Sequence, residues 1–304
     1  MTAAIDDEAQ GRLTRNKLNA ILAALGRLAD LDVGDAQLIK FTNNAVFRLP
    51  RAPVVVRIAG SATMRSRVLK VVQVARWLAE QDVPAGRLLP DVPQPLNVHG
   101  ELITLWQAVP SVGPDPTGRD LAAILRRFHA LPAPPFELPA WRPYEEIRQR
   151  LAEPEGIDSA DLAFLLERCD AIQDELYRVE YVLPPGPIHG DAFRGNLIPG
   201  PNGPVICDFD SASTGPREWD LAPTAVGKLR FDYLGNAHDE LARHYGFDVT
   251  EWAGFSVLRQ VRELKLVTSV VPILRSNPSL RQQWAHRLES FKRGDLAAKW
   301  TTYR

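Results

Sequence analysis

The sequence predicts an α+β protein of two lobes: a small N-terminal lobe with an antiparallel sheet over residues 1–110, and a larger, mainly helical C-terminal lobe over residues 111–304. Three observations carry this expectation. Short β-branched runs separated by turn residues crowd the first hundred positions. Most of the remaining chain places apolar residues at helical spacing, interrupted by short strands and turns between residues 182 and 208. A chain of 304 residues, 45% of them hydrophobic, can also bury a sizeable core and divide it between two domains.

The elements are taken in chain order. Within residues 6–29, Leu18, Ile21, Leu22, Leu25 and Leu28 share one face of an amphipathic lead-in helix. Residues 36–41 and 45–49 form a hairpin around Thr42, Asn43 and Asn44, because asparagine tolerates the left-handed backbone of tight turns. Residues 53–59 are the next strand; alternation puts Arg57 on the side of Val55 and Ala59, opposite Val54, Val56 and Ile58. A helix over 61–79 and a strand over 102–106 come next, and residues 107–110 can connect the lobes. Residues 111–116 break the chain before a helix over 117–131. Segments 132–140 and 184–187 are Pro-rich connections. Further helices are expected over 158–181, from Trp219 onward, and over 236–246, 250–274 and 279–299.

Composition excludes several classes. A formal net charge of −1 gives no electrostatic reason to expect nucleic acid as a partner. Cys169 and Cys207 are too few for a disulfide framework, which makes a reducing cytoplasm the natural compartment. The acidic start Met1-Thr2-Ala3-Ala4-Ile5-Asp6-Asp7-Glu8 is no signal peptide, no run approaches a transmembrane length, and no membrane partner is expected.

The chemistry is concentrated in one stretch. Ile188-His189-Gly190-Asp191-Ala192-Phe193-Arg194-Gly195-Asn196 is followed, twelve residues after Asn196, by Asp208-Phe209-Asp210. A hydroxyl that attacks a terminal phosphate must be oriented and relieved of its proton, which an aspartate on a short loop does; that residue is Asp191. Magnesium takes hard oxygen ligands while keeping substrate oxygens and waters in its shell, and the Asn196 amide and Asp208 carboxylate suit it. Leu197-Ile198, the turn 199–203 and the run 204–207 form a hairpin that brings these two ligands together. His189 reads as a residue that holds the loop by hydrogen bonds, and Asp210 as a secondary residue ordering the metal site. Two other classes stand beside this one. A metal-dependent hydrolase would use His189, Asp191, Asp208 and Asp210, but such enzymes usually need further histidines and the chain has six in all. A nucleotide-binding regulatory protein that has lost transfer is the other.

The pattern H-G-D-x-x-x-x-N, then D-F-D, then Gly215-Pro216-Arg217-Glu218-Trp219-Asp220-Leu221 resembles the aminoglycoside phosphotransferase-like (APH/choline kinase-like) family of small-molecule kinases. These are relatives of the protein kinases, whose catalytic loop begins His-Arg-Asp. The resemblance spans nearly the whole chain, with its specificity mostly in residues 188–221. It implies a protein-kinase-like fold, Mg2+, ATP or GTP as donor of the terminal phosphoryl group, and a small hydroxylated acceptor. By position it implies that Asn43 and Asn44 lie in the loop over the nucleotide phosphates, although no glycine is present there and a plain hairpin turn explains both. Arg57 stands where the family places a phosphate-binding lysine, or is an exposed strand cation. Trp106 and Ala108 fall at the hinge that binds the nucleobase, and Trp106 equally suits packing. Asp220 matches a residue that accepts N–H bonds from the catalytic loop, or caps its own helix. The family's next helix supplies a glutamate to the strand cation, but residues 61–79 contain no acid.

The acceptor is the least legible part. Residues 1–110 carry thirteen Lys and Arg against ten Asp and Glu, and residues 111–304 carry 23 against 27. A mildly acidic second lobe suits a cation, yet residues 275–304 have seven basic side chains and two acidic ones, unlike relatives that gather carboxylates there for aminoglycosides. Arg259, Arg262 and Glu263 sit on a polar helix in turns able to face Asp191, or form a solvated surface. A sugar, amino sugar, nucleoside-type compound, antibiotic or related metabolite fits this pattern.

Overall fold

The computed structural model describes residues 14–41, 44–60, 62–231, 235–275 and 277–303. In chain order the first elements are α1 (Arg15–Ala29), β1 (Gln37–Phe41), β2 (Asn44–Leu49), β3 (Val54–Ala59), α2 (Ala62–Glu80), β4 (Leu96–Val98) and β5 (Glu101–Gln107). The next are α3 (Gly118–His129), α4 (Pro143–Ala152), α5 (Ser159–Leu176), β6 (Gly186–Ile188), β7 (Leu197–Gly200), β8 (Gly203–Ile206) and β9 (Ser213–Gly215). The last are α6 (Glu218–Arg230), α7 (Ala237–Tyr245), α8 (Phe255–Thr268) and α9 (Arg281–Lys292). They form two compact units, one of Met1–Asp115, Pro134–Glu137 and Asn196–Ala212, the other of Pro116–Ala133, Leu138–Gly195 and Ser213–Arg304.

The first unit is built on an antiparallel sheet of order β1-β2-β3-β5-β4. Alternation along β3 buries Val54, Val56 and Ile58 in a core shared with Leu18, Ile21, Leu22 and Leu25 of α1. Thr14 caps α1 by accepting from the Lys17 amide at 3.3 Å. The other face of β3 carries Arg57, beside Ala59, which packs with Met64 and Val68 of α2. The β7–β8 hairpin, remote in sequence, joins this unit through backbone bonds from Ile206 to Pro84 at 2.9 Å and from Gly86 to Ile206 at 2.8 Å.

The second unit is helical around one apolar core that includes Ile147 of α4, Leu165 of α5, Trp219 of α6 and Leu258, Val261 and Leu264 of α8. Its two-stranded sheet pairs β6 with β9, so the Pro-rich connection expected at 184–187 is partly a strand. Several helices are shorter than their apolar patterns predict. α5 ends at Leu176 and not at 181. In place of one helix over 250–274, 3-10 turns at Val249–Glu251 and Val271–Ile273 flank α8, where Gly254 precedes the helix and Pro272 lacks the amide needed to extend it. α9 stops at Lys292 because Gly294, at φ 62°, reverses the chain, with Asp295 N–H donating to Ser290 O at 2.9 Å. α4 was not expected, although Pro143 in its first turn and Glu145 and Glu146 just after are start signals. Residues 6–13 of the lead-in helix, and Thr42 and Asn43 of the hairpin turn, lie outside the described residues.

Candidate functional site

In the second unit the loop after β6 is folded onto one buried carboxylate. Asp220, fully buried in the first turn of α6, accepts from the amides of His189 and Gly190, each at 2.7 Å. Its Oδ2 also lies 3.0 Å from His129 Nε2, and His129 Nδ1 lies 2.8 Å from the Tyr245 hydroxyl. Gly190 has φ 82°, a conformation that disfavours any side chain, and its carbonyl accepts from Trp219 Nε1 at 2.7 Å. His189 is buried, and its Nδ1 accepts from the Asp191 amide at 3.3 Å. Each peptide of the turn is thus pinned, and Asp191 follows in a fixed orientation.

The Asp191 carboxylate keeps 31% of its side chain exposed and accepts from Arg262 Nη1 of α8 at 2.5 Å. Desolvation opposes its charge, but the positive charges of Arg262 and Lys265 and the Arg262 hydrogen bond outweigh it and hold the carboxyl below its usual pKa. Lys265 of α8 is buried, bonded to Glu146 at 3.0 Å and 5.5 Å from the Trp219 ring. Burial, partly offset by Glu146, lowers its pKa. A carboxylate kept ionised, part-exposed and oriented through its backbone is suited to accept a proton from a bound hydroxyl.

In the first unit a second cluster forms around Arg57. Asn196 O accepts from Cys207 N at 2.9 Å, closing the open end of the β7–β8 hairpin, so that Asn196 and Asp208 adjoin this closure from opposite strands. Asp208 has φ 71°, an unusual left-handed backbone for a residue with a side chain. Arg57 is ion-paired with Asp210 and lies 3.5 Å from Asp208, while Lys40 of β1 approaches Asp208 at 3.9 Å. Burial works against the Arg57 charge, but Asp210 and Asp208 reverse the balance and raise its pKa. The Asn44 amide, with its oxygen turned toward Arg57, accepts from Nε at 3.2 Å and Nη2 at 2.6 Å. Lys70 of α2 donates to the carbonyls of Asp210 at 2.6 Å and Ala212 at 2.9 Å. α2, whose acid-free stretch runs up to its terminal Glu80, therefore supplies a cation, and the acids paired with Arg57 come from the segment after β8. The oxygens of Asn196, Asp208 and Asp210 are hard donors that fit a divalent cation such as Mg2+. Among the described residues, no group of three or more His, Cys, Asp and Glu could hold a metal.

Several expected site residues are placed differently. Asn43 is outside the described residues. The Ala108 amide donates to Pro53 O at 2.7 Å, so contact with a nucleobase cannot come from that donor. Trp106 is half-buried, its ring 6.2 Å from the Phe209 ring, with Nε1 donating to Thr104 Oγ1 at 2.8 Å. Of the α8 trio only Arg262 reaches Asp191. Glu263 is buried and accepts from Arg230 at 2.6 and 2.8 Å and from Arg259 at 2.7 Å, while Arg259 also donates to Leu296 O at 2.8 Å. Glu263 is thereby engaged inside the fold, and Arg259 is turned toward Glu263 and the Leu296 carbonyl. Sequence reasoning missed His129, Lys40, Lys70 and Lys265, which lie far from the motif in the chain and carry no local signal of their role.

A small antiparallel-sheet unit and a mainly helical unit, with a loop of this design, define a protein of protein-kinase-like fold. The chain belongs to the phosphotransferase enzyme family, whose model matches residues 12–258, and is a phosphotransferase that acts on hydroxyl groups of small molecules. Among solved structures it is similar to a choline/ethanolamine kinase family protein from Mesorhizobium loti, at 17% identity and TM-score 0.61, covering 91% of this chain and 93% of that one. It is also similar to an amicoumacin kinase in complex with AMP-PNP and Ca2+, at 14% identity and TM-score 0.68, covering 95% and 98%. A third likeness is to the GDP complex of an aminoglycoside 2'-phosphotransferase, at 15% identity and TM-score 0.58, covering 92% and 100%. A search of curated proteins gave no match.

Proposed function

We propose that this kinase moves the terminal phosphoryl group of ATP or GTP to a hydroxyl of a sugar, amino sugar, nucleoside-type compound, antibiotic or related metabolite. The observation that supports the reading is the buried Asp220 bond pair to the amides of His189 and Gly190, which fixes the backbone leading to Asp191, a carboxylate held ionised by Arg262 and Lys265. Asp191 orients the acceptor hydroxyl and takes its proton. Asn196 and Asp208 would hold Mg2+, with Asp210 beside them, and Arg57 would steady phosphate oxygens. When bound, the cation neutralises charge on the transferred phosphate. Asn44 acts through Arg57, whose guanidinium it orients. Among the described residues no helix is long and apolar enough to cross a membrane. The proposed compartment is the cytoplasm, on the low cysteine content of the sequence.

Calorimetry with Mg2+ and either ATP or GTP, followed by a phosphate-transfer screen over hydroxylated compounds, tests the reading. Asp191→Asn should abolish transfer and retain most nucleotide affinity, whereas Asp208→Ala should lose the Mg2+-dependent part of that affinity. Nucleotide binding without transfer to any acceptor would instead leave a binding protein and overturn the proposal. Equal transfer by Asp191→Asn and the natural protein would remove Asp191 from the role of base.

A further inference from the structure

Helix α8 presents opposite chemistry to its two polar sides. Its only acid, Glu263, is turned toward Arg230 and Arg259 and buried. The side toward the catalytic loop sends out cations: Arg262 to Asp191, and Lys265 to Glu146, which also accepts from Arg150. Beside Asp191 this helix thus places Arg262 in direct contact and Lys265 within electrostatic reach, and Glu146, the carboxylate that Lys265 meets, is itself paired twice. The three basic residues within α9 are turned to other partners: Arg281 donates to Gly156 O, Arg287 to Thr301 O and Lys292 to Asp161.

Arg262 differs from Lys265. Among the described residues its one ion pair is with Asp191, and its guanidinium lies 6.0 Å from the Phe193 ring. It keeps 11% of its side chain at solvent beside the 31% of Asp191, so a molecule that touches one carboxylate oxygen meets the guanidinium next to it. A guanidinium offers five N–H donors in a planar fork that matches an oxyanion, and the Asp191 bond engages one edge of it. A cationic acceptor would bring like charge against this fork, where partial desolvation strengthens the repulsion.

We propose that the acceptor carries a carboxylate close to the hydroxyl that is phosphorylated, and that Arg262 binds this carboxylate while the hydroxyl bonds to Asp191. The inference rests on Asp191 being the base. In the step, the hydroxyl oxygen forms its bond to the terminal phosphorus as the bond from phosphorus to the nucleoside diphosphate oxygen breaks. The hydroxyl proton passes to Asp191, and the carboxylate is unchanged.

The test uses the full chain with Mg2+, ATP and acceptors that share one hydroxylated skeleton: hydroxy acids such as glycerate and serine, their amides, and the corresponding amines. Loss of one charge-assisted contact is expected to make the acid better than its amide by about 10- to 100-fold in kcat/KM, with the amine poorest. Arg262→Gln should bring that ratio near unity, chiefly through KM, and Arg262→Lys should restore part of it. The proposal fails if the amide or amine equals the acid in the natural protein, or if no hydroxy acid is phosphorylated. It also fails if Arg262→Gln slows all acceptors alike, as a residue that only orients the base would. Calorimetry separates this from failure of the kinase reading: absence of Mg2+-nucleotide binding overturns both, whereas binding with phosphorylation of neutral or cationic acceptors overturns this inference alone.

Discussion

Asp191 is a carboxylate whose ionisation is decided by side chains on another element. Its pKa in the folded protein is depressed, so the charged form persists as pH falls past the ordinary value of about 4. The stability contributed by its pair with Arg262 is therefore present above that ordinary value and lost as pH falls through the depressed one. The same direction governs the proposed catalysis: with Asp191 as the proposed base, activity should be lost only on the strongly acidic side. In Arg262→Gln two of the lowering influences are gone and desolvation remains, so the acid limb of the kcat/KM profile should move to higher pH. A limb that stays in place would show that Arg262 does not set the charge of Asp191. The sequence offers Asp191, Asn196 and Asp208 as candidates because the proposed chemistry dictates residue type and spacing within a span of about 20 residues. Arg262 lies 71 residues beyond Asp191, and only packing assigns it to the loop and Glu263 to the interior.

At the scale of the element, α8 separates structural charge from charge beside the base. Glu263 and Arg230 are both nearly inaccessible, so removal of one leaves an uncompensated buried charge on the other. Glu263→Ala should destabilise the protein by about 3 to 5 kcal/mol in chemical denaturation. Acceptor KM should hardly change in the folded fraction; a large rise in KM with little loss of stability would return Glu263 to the acceptor site. The loop shows the same principle in backbone form. Gly190→Ala places a Cβ at φ 82° and should cost about 1 to 2 kcal/mol, with a fall in kcat through misplacement of Asp191. The existence of most helices was readable from apolar spacing, α4 being the exception, but helix ends were not, since α8 and α9 are bounded by Gly254, Pro272 and Gly294 inside longer apolar patterns. The loop partner Asp220 was legible as a candidate; that its carboxylate binds two loop amides and approaches His129 is decided by the fold of the second unit.

For the whole molecule, a ligand that binds only the folded state stabilises it by mass action. Mg2+-nucleotide at a hundredfold excess over its dissociation constant should add about 2.7 kcal/mol, read as a rise in Tm. Asp208→Ala should lose most of that rise, and an undiminished rise would detach Asp208 from the nucleotide's metal. The sequence by itself determined the fold class, the family and the short motif, because alternation, helical spacing and catalytic geometry over a few residues are local properties of a chain. Tertiary structure alone decided that the β7–β8 hairpin joins the first unit, that Arg57 pairs with Asp210 and Asp208 where its helix offers Lys70, and that Arg262 faces Asp191. Those pairings join residues many turns apart, and side-chain charge finds its partner only after apolar burial has fixed which faces meet.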